Sequence, residues 1–209
     1  MSTLLRVDSS PFPSEASFSR RLTSEFAATW RKTEPEGRVI ERDLAKTALA
    51  PLTPELIAAM YTPEPSRTPE QNALLAISDE LIAELQTADE YVFGVSMHNF
   101  SIPSSLKLWI DQVARAGKTF SYDGDKPKGL LNGKKATFLV ATGGVYEQGT
   151  PTAAFNHIEP YLRSVFGFLG VSDVTFINAG GTSRARSGVD HASILRPAIE
   201  SIHAQFQAA

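Results

Sequence analysis

Residues 90–117 read EYVFGVSMHNFSIPSSLKLWIDQVARAG, and this stretch decides how the rest of the chain is interpreted. It begins with the apolar run 91–95, bounded by polar residues, which is typical of a strand buried on both faces. Pro103 then opens a helical pattern that ends at Gly117. Because ligands bind beyond the carboxyl ends of strands in open α/β sheets, we expect a binding site in the loop between these two elements.

That loop carries a polar tetrad, Met97-His98-Asn99-Phe100. The tetrad offers main-chain N–H groups, an imidazole, an amide and a flat ring. Such a combination suits a planar ligand with polar edges. The plainer interpretation is a loop that only covers a core helix, and the four residues by themselves leave both interpretations open.

Composition limits the classes of protein that this chain represents. Its 209 residues, 42% of them apolar, fit one globular domain over 1–209. No apolar run approaches the roughly 20 residues of a membrane span, and no secretory signal is visible, so we expect a cytoplasmic protein without a membrane partner. The absence of cysteine excludes disulfides and thiolate metal sites, and the histidines show no metal-ligand spacing. A net charge of −3 with scattered Lys and Arg argues against a nucleic-acid partner.

Hydrophobic periodicity divides the rest of the chain into alternating strands and helices. Strands are predicted at 4–7, 38–44, 91–95, 135–142 and 174–179. Helices are predicted over 17–32, 51–61, from 69 with Leu74 on the apolar face, 103–117, 155–169 and 194–206. A small hairpin is predicted between 119 and 131, with its turn at 123–125. Five strands alternating with helices give a doubly wound α/β sheet.

The loop that precedes the first helix is rich in serine, with five serines from Ser9 to Ser19. Ser17 is a good N-cap candidate for that helix. Free N–H groups and hydroxyls at a helix N-terminus suit a phosphate. The motif is neither GxGxxG nor a Walker loop, so a serine-rich capping loop without a ligand explains it equally well.

Between residues 97 and 146 the chain carries an ordered series of short motifs. They are Met97-His98-Asn99-Phe100, Ile102-Pro103, Leu106-Lys107, Trp109-Ile110-Asp111, Arg115-Ala116-Gly117, Thr119-Phe120-Ser121-Tyr122, Lys128-Gly129-Leu130-Leu131, Gly133-Lys134-Lys135 and Gly143-Gly144-Val145-Tyr146. In this order they resemble the family of FMN-dependent NADH-azoreductases, also called NADH:quinone reductases. The amino-terminal match is weaker, and the family pattern fades beyond about residue 170.

The resemblance implies a flavodoxin-like fold with strand order 2-1-3-4-5, one FMN per chain, NADH or NADPH as electron donor, and a homodimer in which the partner completes each site. It places the FMN phosphate at the serine loop and the flavin ring at the loops after strands 3 and 4. The implied cofactor-binding residues are Ser10, Ser17, Phe18, Ser19, Met97, His98, Asn99, Phe100, Ala141, Thr142, Gly143 and Gly144. No catalytic side chain is expected, because the flavin carries the chemistry.

Two positions depart from the family pattern. The family usually has Tyr where His98 stands, which matters only if the side chain and not the backbone meets the ligand. Members often carry Ser-Arg where Ala141-Thr142 precede the paired glycines. The change would remove a positive charge near the flavin and alter its redox tuning.

Two aromatic residues are the candidates for contact with the substrate. Phe120 alternates with Tyr122 on the predicted hairpin, where it either packs the hairpin or forms a wall against which a flat substrate stacks. Tyr146 follows the paired glycines and either touches flavin or substrate or packs on the surface. The sequence leaves both pairs of interpretations open.

Other residues are expected at the rim of the site or away from it. The loop 180–188 follows the last strand, and its Arg184 and Arg186 either pair with the 2′-phosphate of NADPH or form a solvated basic loop. Phe12 is expected in the core or an interface, and His191 at the surface or on a helix.

We therefore expect an FMN-dependent NAD(P)H oxidoreductase that reduces quinones and aromatic azo compounds by two-electron hydride transfer, with donor and acceptor using one slot in turn. One alternative is a flavodoxin-like single-electron carrier, although carriers tend to be strongly acidic and the net charge is only −3. Another is a flavin-free binding module of the same fold. The colour of the purified protein distinguishes the last alternative from the other two.

Overall fold

The structure is a computed structural model that describes residues 1–207. Its centre is a parallel sheet of five strands in the order β2-β1-β3-β6-β7. The strands are β1 (Thr3–Asp8), β2 (Arg38–Asp43), β3 (Glu90–Ser96), β6 (Lys135–Ala141) and β7 (Asp173–Ala179), and a separate hairpin contains β4 (Phe120–Asp123) and β5 (Lys126–Gly129). Without the hairpin strands this order is 2-1-3-4-5, which confirms the predicted flavodoxin-like sheet.

In this part of the chain there are six α-helices. They are α1 (Phe18–Thr33), α2 (Pro54–Tyr61), α3 (Pro69–Thr87), α4 (Ser104–Val113), α5 (Ile158–Leu169) and α6 (His191–Gln207). Five of them cover the two faces of the sheet, and the sixth, α2, packs on α3. On one face α3, α4 and α5 bury Leu81, Leu106 and Leu162, and on the other α1 and α6 bury Phe26 and Ile202. None of these helices is long and apolar enough to cross a membrane.

β3 lies at the centre of the sheet, and residues 91–95 are all buried, as their apolar run predicts. The parallel register places Phe93, Phe138 and Phe176 side by side on three adjacent strands. Their rings stack with centroid separations of 5.0 and 4.9 Å. Trp109 of α4 adds an edge-on contact to Phe93 at 5.3 Å. This ring packing fixes the strand that leads into the tetrad.

The helix after the tetrad is shorter than its pattern predicts. Pro103 occupies the N-cap, and α4 ends at Val113. The next turn is tightened by a hydrogen bond of 3.1 Å from the Arg115 N–H to Thr119 Oγ1. Gly117 lies in this turn with φ +75° and does not terminate the helix directly.

The apolar face of α3 differs from the prediction at its start. Leu74 is 44% exposed, whereas Leu75 is fully buried. Leu75 belongs to the stripe that continues through Ser78, Ile82 and Leu85 at the three- and four-residue spacing of a helix. Leu74 lies one position away from this stripe and therefore faces solvent.

The predicted hairpin is present and is fixed at its base. Gly124 makes the turn with φ +61°. At the other end a β-carbon on Gly129 would lie 2.1 Å from the Gly170 nitrogen, so the two backbones touch. The Leu131 N–H donates to the Leu169 carbonyl at 2.9 Å. The hairpin is thus anchored to the carboxyl end of α5.

Candidate functional site

A cleft of about 570 Å³ opens at the carboxyl edge of the sheet, among the loops that follow β1, β3, β6 and β7. Its volume falls within the roughly 300–1,000 Å³ of small-molecule sites. It is lined by Ser10, Phe12, Ala16, Ser17, Phe18, Ser19, Ser96, Met97, His98, Ala141, Gly143, Thr182, Ser183, Ala185, Arg186 and His191. Eight of the twelve implied cofactor residues therefore meet here: Ser10, Ser17, Phe18, Ser19, Met97, His98, Ala141 and Gly143.

A second cleft of about 450 Å³ adjoins the first through His98, which belongs to both walls. Its lining also includes Asn99 and Ala45 together with Ser9, Pro11 and residues 102–105. The exposed His98 ring has its Nε2 3.1 Å from Ser96 Oγ. This side chain, the first departure from the family pattern, therefore lies where a ligand in either cleft would meet it.

The serine loop presents buried hydroxyls to the first cleft. Ser17 caps α1, and its Oγ accepts from the Arg20 N–H and lies 3.3 Å from Ser19 Oγ. Ser10, Ser17 and Ser19 are at most 4% exposed. Ser10 Oγ accepts from the Phe12 N–H at 3.3 Å, and the described part of the chain offers its own proton no acceptor. Hydroxyl donors beside a helix N-terminus fit a phosphate.

Hydrogen bonds hold the tetrad in a strained turn. The Met97 N–H donates to the Ala141 carbonyl at 2.9 Å, and His98 and Ser101 exchange main-chain bonds of 3.0 and 3.1 Å. Between them Asn99 and Phe100 have φ values of 48° and 70°. This left-handed conformation costs an L-residue about 1–2 kcal/mol. Such strain persists where the surrounding structure imposes it, and it is common at ligand sites.

Carbonyl groups after β6 accept hydrogen bonds from the loop after β7. The Thr142 carbonyl accepts from the N–H and the hydroxyl of Thr182, both at 3.0 Å. The Gly143 carbonyl accepts from the N–H of Ser183 at 3.3 Å and from its hydroxyl at 2.7 Å. The Gly144 carbonyl accepts from the Gly181 N–H at 2.9 Å. The two loops therefore form one wall of the cleft.

An aromatic cluster lies beside the tetrad and outside the lining of both clefts. The Phe100 ring is 5.2 Å from Phe155 and 6.2 Å from Tyr146. A β-carbon on Gly144 would lie 3.1 Å from the Tyr146 hydroxyl oxygen, so the glycine leaves room for that ring. Phe155 lies in a short 3-10 turn (Ala153–Phe155) before α5 and is 49% exposed, so it does not begin the helix as predicted.

Phe120 does not line either cleft in one chain. Its side chain is 9% exposed and packs 4.6 Å from the Phe168 ring and 5.7 Å from the Tyr122 ring. Packing of the hairpin accounts for these contacts. A substrate role for Phe120 therefore requires a second copy of the chain that brings the hairpin to the cleft.

Some residues of the cleft were not foreseen. Phe12 is 57% exposed and lines the cleft, so it does not lie in the core, and its expected place in an interface stays a prediction. His191 begins α6 and has its ring 4.6 Å from Phe18, with Nδ1 3.1 Å from Arg21 Nη1. The hydroxyls after β7 could have been anticipated, because parallel strands all end at the same edge.

Four charged side chains lie beneath the serine loop. Arg20 Nη2 donates to the Ser10 carbonyl and to Asp43, both at 2.6 Å, and Arg6 pairs with Asp8 at 2.8 Å. Burial raises the pKa of Asp8, against the opposing effect of Arg6. Burial acts to raise the pKa of Asp43 and is the largest single effect. The hydrogen bonds from Arg20 and from the Ala45 N–H, together with the positive charges of Arg20 and Lys46, outweigh burial, so that this pKa lies below its ordinary value.

Comparisons with known proteins agree with this architecture. A family model described as the flavodoxin-like fold matches residues 2–205. The chain is 54% identical over 203 residues to the FMN-dependent NADH:quinone oxidoreductase of Acidobacterium capsulatum, with 97% of this chain and 98% of that protein covered. It is 44% identical over 207 residues to FMN-dependent NADH:quinone oxidoreductase 3 of Burkholderia lata, with coverages of 99% and 100%.

Solved structures agree as well. The crystal structure of an azoreductase from Bacillus anthracis superposes with a TM-score of 0.85 at 29% identity, covering 97% of this chain and 99% of that one. The likeness extends through the amino-terminal loop and the last helix, where the motifs in the sequence are weakest. The chain therefore belongs to the family of FMN-dependent NADH:quinone oxidoreductases and azoreductases with the flavodoxin-like fold.

Proposed function

We propose that this protein is an FMN-dependent NAD(P)H oxidoreductase that reduces quinones and aromatic azo compounds. The observation that carries the proposal is its 54% identity to an FMN-dependent NADH:quinone oxidoreductase over 97% of the chain. The cleft supports it, because buried hydroxyls, a helix N-terminus and glycine-lined backbone suit a flat cofactor with a terminal phosphate.

The serine loop is proposed to hold the phosphate end of FMN. Ser17 and Ser19 would donate their hydroxyls, and Ser10 would donate the proton for which the described residues provide no acceptor. Phe18 closes this end of the cleft, where its ring is already held against His191 at 4.6 Å. The N-terminus of α1 adds the positive end of the helix dipole.

The loops after β3 and β6 are proposed to hold the flavin ring. Met97, His98 and Asn99 line the two clefts and would meet one edge of the ring, mainly through their main chain. Ala141 and Gly143 line the opposite wall. Three residues of the implied set would act on the ring only through the shape of their loops: Phe100, Thr142 and Gly144. The Phe100 ring packs on Phe155, and the Thr142 hydroxyl donates to the Gly144 carbonyl.

FMN, when bound, supplies the acceptance and donation of hydride. The residues of this chain orient the donor and the acceptor against the ring and exclude water from it. No GxGxxG follows a strand, so the sequence marks no second dinucleotide site. We therefore propose that nicotinamide and the electron-poor acceptor occupy the same slot in turn, with NAD⁺ leaving before the quinone binds.

A second copy of the chain is proposed to complete the site. Phe120 and Tyr122 lie on a hairpin that lines neither cleft of its own chain, yet Tyr122 is 62% exposed near the tip. In a homodimer this hairpin would form the aromatic wall against which a flat acceptor stacks, and Tyr146 would lie at its edge. We place this dimer in the cytoplasm as part of the same proposal.

The test combines flavin analysis with steady-state kinetics. Heat-released flavin is expected to be FMN, one per chain, and double-reciprocal plots for NADH and a quinone are expected to give parallel lines. Anaerobic NADH should bleach the flavin in one two-electron step, which a single-electron carrier would not show. Release of FAD or no flavin at all would refute the cofactor, and intersecting lines would refute the shared slot.

A further inference from the structure

Arg20 lies in the first turn of α1, directly beneath the serine loop. Its side chain is only 9% exposed, and it does not line either cleft. Two of its nitrogens donate to the Ser10 carbonyl, Nη2 at 2.6 Å and Nε at 3.3 Å. The same Nη2 donates to Asp43 Oδ1 at 2.6 Å. One buried guanidinium therefore joins the serine loop to the end of β2.

This contact sets the orientation of Ser10. A carbonyl oxygen carries partial negative charge and would repel a bound phosphate. Arg20 holds the Ser10 carbonyl toward the interior, and Ser10 lines the cleft with a hydroxyl proton that the described residues do not engage. The arginine thus directs the Ser10 carbonyl away from the cleft and leaves the Ser10 hydroxyl free to donate.

Neighbouring carboxylates fix the guanidinium in this position. Asp43 also accepts from the Ala45 N–H at 3.0 Å, so it is anchored independently of Arg20. Asp8 lies 3.9 Å from the guanidinium and is engaged by Arg6 at 2.8 Å and by Thr23 at 2.6 Å. Lysine, with a single nitrogen, would not reproduce this forked arrangement.

We propose that Arg20 is a positioning residue that gives the site its preference for a phosphorylated flavin over an unphosphorylated one. It acts through Ser10, by removing a repulsive carbonyl from the phosphate position and presenting a hydroxyl donor there. This inference rests on the proposed function, since it needs FMN to occupy the cleft with its phosphate at the serine loop.

The experiment compares the affinities of two flavins that differ only in the phosphate. Full-length protein freed of flavin is titrated with FMN and with riboflavin, and the quenching of flavin fluorescence gives each Kd. The variants are Arg20→Met and Arg20→Lys, with Arg31→Met as control on an exposed position of the same helix. Circular dichroism and thermal unfolding of each protein report whether it is folded.

Arg20→Met is expected to raise the Kd for FMN about tenfold, the change that the loss of one charge-assisted contact gives. Its Kd for riboflavin should stay within about twofold, because riboflavin makes no phosphate contact. Arg20→Lys should fall between this variant and wild type. Arg31→Met should retain the wild-type ratio of the two constants.

An unchanged ratio of the two Kd values in the Arg20 variants would overturn the proposal. If both Kd values rose equally, Arg20 would be a purely structural residue. Should Arg20→Met fail to fold, the ratio in Arg20→Lys decides. Wild-type protein that binds neither flavin would instead refute the proposed function, and the role of Arg20 would fall with it.

Discussion

Arg184 and Arg186 stand two residues apart on one 3-10 turn (Thr182–Ser187), and of these two Arg186 lines the cleft. The Nε of Arg184 donates to the Gly181 carbonyl at 3.1 Å, which folds that side chain back over its own turn. Hydrogen bonds from Thr182 and Ser183 fix the turn to the loop after β6. The loop after β7 thus presents one cation to the site, where the sequence suggested two.

This difference predicts how the enzyme distinguishes NADPH from NADH. Arg186→Ala should lower the ratio of kcat/KM for NADPH to that for NADH about threefold to fivefold, because an exposed ion pair contributes up to about 1 kcal/mol. Arg184→Ala, the matched control on the same turn, should leave the ratio unchanged. Initial-rate kinetics with both donors test this. An equal change in both variants would mean that the loop acts through its fold and not through a phosphate contact.

The two hydroxyls at the start of α1 are predicted to hold the FMN phosphate. Ser17→Ala combined with Ser19→Ala should weaken FMN binding at least tenfold, because each hydrogen bond to a charged group contributes roughly 1.5–3 kcal/mol. Equilibrium titration of the flavin-free protein with FMN measures the change. An unaltered affinity would move the phosphate to another part of the cleft.

A control is needed because Ser17 also caps α1, and loss of a cap alone costs roughly 1 kcal/mol of stability. Thr53 caps α2 in the same way, with its hydroxyl accepting from the Leu56 N–H at 3.2 Å. Thr53→Ala should therefore show a comparable loss in thermal unfolding with no change in FMN affinity.

The hairpin offers a test of the proposed second copy. Phe120→Ala removes a buried ring and should lower the free energy of unfolding by about 3–5 kcal/mol, which makes it a poor probe of substrate binding. Tyr122→Ala alters an exposed ring and should change stability by no more than about 0.5 kcal/mol. If the partner's hairpin walls the slot, Tyr122→Ala raises KM for flat quinones while FMN content stays constant. An unchanged KM would place the wall elsewhere.

The pair of Arg20 and Asp43 predicts a specific dependence of stability on pH. The pKa of Asp43 is lowered from its ordinary 3.8, so its contribution to stability is present above that pH and is lost as the pH falls through the lower, folded-state value. Urea unfolding at several pH values should show Asp43→Asn less stable than wild type near neutrality, with the gap closing below about pH 4.

The matched control is Asp123→Asn on the exposed hairpin, where the substitution should change the free energy of unfolding by no more than about 0.5 kcal/mol. Asp8 acts in the opposite direction, because burial raises its pKa, so its contribution falls as the pH rises from 3.8 through the raised value. A gap for Asp43→Asn that stays constant down to pH 3 would show that the carboxylate charge does not stabilise the fold.

The sequence predicted most of the sheet correctly, because the sequences of buried parallel strands are uninterrupted apolar runs. The sequence also indicated the loops that line the cleft, since these loops follow directly from strand ends. The prediction failed where two adjacent apolar residues compete for one helix face, as with Leu74 and Leu75. It also gave no sign that Phe12 lines the cleft, because the cleft forms only when distant loops come together.

The parts of the site that sequence reasoning missed depend on contacts between distant segments. Nothing near Arg20 indicates that its side chain will reach the end of β2, because Asp43 lies on another element. The different directions of Arg184 and Arg186 arise from a bond to a main-chain carbonyl, which no side-chain pattern records. The left-handed backbone of Asn99 and Phe100 is likewise imposed by the pairing of His98 with Ser101.

The anchored hairpin has a practical consequence for protein engineering. Its base is clamped where Gly129 meets Gly170. A side chain at Gly129 would collide with the Gly170 backbone, and Gly170 has a φ of +101°, which strains any other residue. Residues 122–127 at the tip, by contrast, are exposed. If the partner's hairpin walls the slot as proposed, a library that randomises this tip and keeps both glycines would sample new acceptors with little loss of stability, and would leave the residues that line the cleft unchanged.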